Sequence, residues 1–135
     1  MFVFTLAACA DRVPAPVISS TSETGGSLVP VFVATNRTRN EEGFFDRERR
    51  EKLQLLSTKV SIPALHQPGD APRYSKNPNP DKHFALVSQD QFASDQAFVD
   101  AIRRALDRRS PEHREVTLYV HGFFNGYADS VFRMA

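Results

Sequence analysis

The chain has 135 residues, 41% of them hydrophobic and 24% charged, with a net charge of +1. That length suits one domain with its own core, and so even a charge balance gives neither the basic footprint of a nucleic-acid binder nor a field for an acidic substrate. The single cysteine, Cys9, excludes an internal disulfide and a cysteine-built zinc cluster.

Residues 1–8 are almost wholly apolar and run into Leu6-Ala7-Ala8-Cys9. A short apolar run ending in small residues is how a secretory signal peptide ends. Leu-Ala-Ala-Cys resembles the lipobox of bacterial lipoproteins, in which the cysteine becomes the lipid-bearing N-terminus. The run falls short of the about 20 apolar residues that span a bilayer, and no Lys or Arg precedes it. The expectation is therefore a partial lipoprotein-type signal over residues 1–9, lipidated at Cys9, with the natural start upstream of Met1. The alternative is an apolar N-terminus packed in a core. Residues 10–27 hold Pro14, Pro16, Gly25 and Gly26 among Ser and Thr, the composition of a flexible linker.

Residues 28–34 form a compact run rich in β-branched side chains, which predicts a buried strand. Pro30 lacks a ladder donor, so it belongs near the strand start or at an edge. Residues 35–51 interleave Arg37, Arg39, Glu41, Glu42, Asp46 and Arg47 to Arg50. They read as a solvated loop or a short exposed helix, pinned by Phe44 and Phe45. Residues 55–62 alternate Leu56, Val60 and Ile62 as a strand, stopped by Pro63. The Pro-rich stretch 66–80 is a loop, and 83–87 is a weaker strand candidate.

Residues 94–109 give the clearest helix. Ser94 or Asp95 can cap it, and Phe98, Ala101, Ile102, Ala105 and Leu106 fall on one face. Arg103, Arg104, Arg108 and Arg109 crowd its end, where cations complement the helix dipole; a phosphate-binding role is the rival reading. Pro111 stops the helix. Residues 115–120, Glu-Val-Thr-Leu-Tyr-Val, read as a central strand covered on both faces, the pattern of a parallel sheet. A glycine turn and a second helix over 128–135 follow, making half of a βαβ unit. The chain stops inside that helix's apolar pattern, so a missing C-terminal part is expected.

The chemistry sits at Val120-His121-Gly122-Phe123. A glycine after a buried strand permits a sharp turn, and the amides beyond it can converge where negative charge develops on a carbonyl oxygen. The plainer alternative is that His-Gly simply ends a strand. Three pieces, Val31-Phe32-Val33-Ala34-Thr35-Asn36-Arg37, Val60-Ser61-Ile62-Pro63 with His66 and Gly69, and Leu118-Tyr119-Val120-His121-Gly122-Phe123 with Phe132-Arg133-Met134-Ala135, stand in a telling order and spacing. In this they resemble a domain-of-unknown-function family of bacterial alpha/beta-hydrolases, often secreted or lipid-anchored. The resemblance covers about residues 29–135. It implies an α/β fold: over 28–135, the incomplete N-terminal part of an alpha/beta-hydrolase domain, a parallel or mixed sheet with flanking helices. It also implies that the Phe123 backbone N–H is the first oxyanion-hole donor, that the His121 ring braces the loop, and that Gly122 lets the backbone turn. Full-length relatives would cleave a small-molecule or lipid ester with a serine nucleophile.

The nucleophile itself is absent: no G-x-S-x-G occurs, and Ser130 lies in Ala-Asp-Ser-Val-Phe on a predicted helix. His66, His83 and His113 precede the oxyanion loop, the wrong order for a catalytic base. A full domain would need roughly 200–250 residues. No cofactor is called for: there is no phosphate loop or dinucleotide fingerprint, and His66 and His83, with Asp70 and Asp81 between them, match no zinc spacing. Two readings remain. One is a hydrolase fragment, inactive alone, held at a bacterial cell envelope by lipid on Cys9. The other is a small lipid-anchored envelope binding protein without catalysis, using the charged segment 37–50 or the Pro-rich loop as its contact surface. Neither has a nucleic-acid partner.

Overall fold

The computed structural model describes residues 26–41, 43–122 and 125–135. The expected signal with Cys9, the linker up to residue 25 and the expected oxyanion donor Phe123 lie outside the described residues.

The run at 28–34 seeds strand β1, Ser27–Arg39. Strand β2, Phe45–Ile62, returns antiparallel to it. The two are joined by a tight turn: the Asn40 N–H donates to Phe44 O at 2.8 Å, and the Phe44 N–H donates to Asn40 Oδ1 at 2.9 Å. Gly43 in this turn has φ +84, a conformation in which a Cβ is strained. Strand β3, Ala85–Gln91, lies antiparallel on the other side of β2, giving the order β1-β2-β3. Pro63 ends β2 as its missing donor demands, and Pro30 sits near the start of β1, an edge strand.

The sheet corrects the expected fold class. It is antiparallel throughout the described residues, with two short helices, and is not the parallel or mixed sheet of an alpha/beta-hydrolase. A turn as short as 40–44 can only fold a strand back antiparallel; a parallel neighbour needs a crossover of a dozen residues or more. The expected central strand at 115–120 is a second correction. That segment joins no ladder, and Val116, Leu118 and Val120 are 64%, 86% and 80% exposed. The half βαβ unit therefore does not form. Its apolar composition matched a buried strand, but composition supplies no pairing partner.

A third correction concerns residues 35–51, expected as a loop or short helix. They extend both strands into a ribbon, with Arg37 opposite Arg49 and Arg39 opposite Phe45. Long arginine stems cover apolar surface while the guanidinium finds acceptors. Thus Arg39 lies 4.9 Å over the Phe45 ring and donates to Gln89 Oε1 at 3.2 Å. Phe45 does anchor the ribbon, stacking on Tyr127 with centroids 4.3 Å apart.

Helix α1, Asp95–Asp107, starts where its cap was expected: Ser94 Oγ accepts from the Ala97 N–H at 3.2 Å. A 3-10 turn over Pro111–His113 follows. Helix α2, Tyr127–Met134, begins after Gly126, whose N–H donates to Asp129 Oδ2 at 3.1 Å. Among the described residues, no helix is long and apolar enough to cross a membrane.

Strand register assigns the two faces of the sheet. Val29, Val31 and Val33 lie opposite Val60, Thr58 and Leu56, so these side chains share one face. Val131, Phe132 and Tyr127 of α2 pack there with Phe84 and Leu86, forming the core. Each fully buried apolar side chain contributes about 1.5–3 kcal/mol. Phe32, opposite Ser57, points the other way. It meets Phe98 of α1 edge-on at 5.8 Å and Phe92 at 6.4 Å, and those two rings are 5.5 Å apart. One helix therefore covers each face of the sheet beside β1.

Candidate functional site

A groove of about 560 Å³ runs beside β1. Six consecutive β1 residues, Pro30 to Thr35, line it. Side chains of both parities contribute, so the groove follows the edge of the strand and not one face. Phe98, Ile102 and Leu106 of α1 form one wall, and Tyr127, Val131 and Met134 of α2 form the wall opposite. The far side is residues 115–121. The groove is thus bounded by β1, by one helix on each face of the sheet and by residues 115–121, which belong to no helix or strand.

Two polar residues define its end. Arg37 is buried at 5% exposure, on the same face as Val31 and Val33. Its Nη2 donates to Asn125 O at 2.7 Å and its Nη1 to Asp46 O at 3.2 Å, while its own carbonyl accepts from Gln54 Nε2 at 2.7 Å. Tyr127 places its hydroxyl 2.9 Å from Thr58 Oγ1 in the core. Burial pushes the Tyr127 phenol above its ordinary value, against the opposing pull of the Thr58 and Gln89 hydrogen bonds and the Arg39 charge.

Of the residues expected to act, His121 lines the groove. Its Nδ1 lies 2.9 Å from Gly122 O, a carbonyl that can only accept, so the contact is a hydrogen bond when Nδ1 carries the ring proton. A Cβ at Gly122 would meet only Asn125 Nδ2, 3.8 Å away, and positive φ occurs only at Gly43 and Gly69 among the described glycines. His66 lies edge-on to Phe84 at 4.8 Å, and His83 Nδ1 accepts from the Asn79 N–H at 2.9 Å. Ser130 lines the groove, and its Oγ donates to Gly126 O at 2.8 Å. No contact brings a histidine to this hydroxyl among the described residues. Asp129 ties α2 to the Pro-rich loop by accepting from Tyr74 OH at 3.1 Å.

Sequence reasoning placed Arg37 in a solvated charged segment and gave Tyr127 no role. For Arg37 a signal existed: it continues the inward alternation of Val31, Val33 and Thr35. Nothing local marks Tyr127, whose hydroxyl partner is distant in sequence. No protein-family model, curated protein or solved structure matches this chain.

Proposed function

We propose that the chain is a non-catalytic binding module whose groove accepts an extended apolar polypeptide strand along the edge of β1. The slot itself carries this reading. An edge strand presents alternate N–H and C=O groups unpaired, and adding a strand to such an edge is a general mode of peptide recognition. Helices α1 and α2 supply apolar walls for the two faces of the incoming strand. A slot volume of about 560 Å³ lies within the range of ordinary ligand sites. The test is a titration with an eight-residue valine- and leucine-rich peptide, followed by amide shifts of Val31, Val33 and Val120. Saturable shifts on both sides of the slot support the reading. Unmoved β1 amides, or shifts scattered over the surface, defeat it.

A second reading keeps the serine-hydrolase role, with this chain supplying an oxyanion loop to a nucleophile carried elsewhere. It is favoured by His121 at the groove with Nδ1 2.9 Å from Gly122 O, the bracing that the family resemblance implies. A fluorophosphonate probe decides it: this chain by itself should take no label, and an assembly with the nucleophile-bearing segment should. For either reading, lipid on Cys9 would hold the module at an envelope membrane. A labelled fatty acid incorporated in the native protein but not in Cys9→Ser checks that attachment.

A further inference from the structure

We infer that the strand filling the slot belongs to a second copy of this chain: residues 115–120 of each copy enter the slot of the other. This rests on the strand-accepting reading above and names its partner. Residues 115–120 belong to no helix or ladder and are exposed in one copy. They carry the β-branched and aromatic side chains that suit a strand, Val116, Thr117, Tyr119 and Val120. They also border the slot they would fill. Under a two-fold axis perpendicular to the sheet, the strands run β1, segment of copy two, segment of copy one, β1 of copy two. Each segment then pairs with a β1 edge on one side and with its twin on the other. The contact is isologous and closed, so it forms a dimer and not a fibre.

Register follows from the side chains. Directly opposed residues of antiparallel strands share a face. Placing Leu118 opposite Leu118 sets Val116 against Val120 and keeps apolar side chains together. A shift of one residue would oppose positions of unlike parity, such as 116 and 119, which this axis holds on opposite faces, so that register cannot pair. A stable specific interface buries about 1,200 Å² or more in total, and two inserted six-residue strands with the slots they close are the surfaces that would have to supply it. The exposed Leu118, Val120 and Val116 would be covered, together with the β1 edge that carries no partner strand among the described residues.

The test uses the full chain with Cys9→Ser as background. Sedimentation velocity from about 1 to 100 µM should show a monomer–dimer equilibrium with no higher species. Leu118→Cys should form an interchain disulfide on mild oxidation. Thr117→Cys should crosslink at least about tenfold less, because its Cα would lie more than about 7 Å from its twin. Leu118→Lys should leave the circular dichroism spectrum unchanged, since the side chain is 86% exposed, and should abolish the dimer. A chain that stays monomeric at every concentration overturns the proposal, as does equal crosslinking at 117 and 118. A labelled peptide of residues 115–120 separates the two levels. If a monomeric chain captures it, the strand-accepting reading stands and the second copy is excluded; if neither peptide nor copy binds, both readings fall.

Discussion

The guanidinium of Arg37 donates to the main-chain oxygen of Asn125 at 2.7 Å, joining the end of β1 to the loop before α2. The same side chain reaches Asp46 O across the hairpin at 3.2 Å. One buried cation thus holds three segments together at the end of the groove. Arg37→Met keeps the stem and strands two acceptors. It should cost about 2 kcal/mol, or about 10 °C in Tm for a domain of this size. Amide exchange should quicken at 121–126 before it does so in β2. Uniform exchange through the sheet would show that Arg37 supports the fold globally and not this loop.

Tyr127 gives the molecule an alkaline limit. Its phenol is pushed above its ordinary value of about 10, chiefly by burial. The native state then holds the proton more tightly than the unfolded chain. The associated stability is complete below pH about 10 and is lost as pH climbs through the raised folded-state value. Tyr127→Phe should flatten that alkaline decline in urea melts. At neutral pH it should cost about 1–2 kcal/mol, because Thr58 Oγ1 loses its buried partner. An alkaline decline identical to that of the parent chain would remove Tyr127 as its cause.

The cluster of Phe32, Phe92 and Phe98 holds α1 on the sheet. Phe98 is half-buried, and Phe98→Ala should cost about 2 kcal/mol, less than the 3–5 of a fully buried ring. The groove wall formed by α1 should loosen with it. Weaker binding of a strand peptide, beside unchanged chemical shifts in α2, is the expected pattern. A loss smaller than about 0.5 kcal/mol would mean that α1 is held by other contacts.

Gly43 turns the β1–β2 hairpin with φ +84. Nothing stands within 4 Å of where its Cβ would lie, so only backbone strain opposes a side chain there. Gly43→Ala should destabilise by about 1 kcal/mol, and Gly43→Asn, which tolerates this conformation, by less. Equal losses for the two variants would point to a cause other than the dihedral angle.

Local signals were legible where they are self-sufficient. The cap at Ser94 and the apolar face ending at Leu106 placed α1, and the run at 28–34 placed β1. Residues 115–120 misled because strand composition and strand pairing are separate matters: a strand needs an edge to join, and no local pattern reveals one. The segment 35–51 misled because its charges mask an alternation in which Arg37 faces inward. His121 could be picked out from its motif, but the slot beside it could not. Its walls come from 30–35, 98–109 and 127–134, which meet only in three dimensions.

The hydrogen bond between Thr58 and Tyr127 spans 69 positions of the chain. During synthesis the β1–β2 hairpin emerges early and can close through its own turn. The face bearing Leu56, Thr58 and Val60 then waits for α2. At about 5–20 residues per second, that wait is roughly 3–14 s. For that interval the nascent chain displays a sheet face that α2 has yet to cover, so its order of synthesis leaves this surface exposed until the last helix emerges.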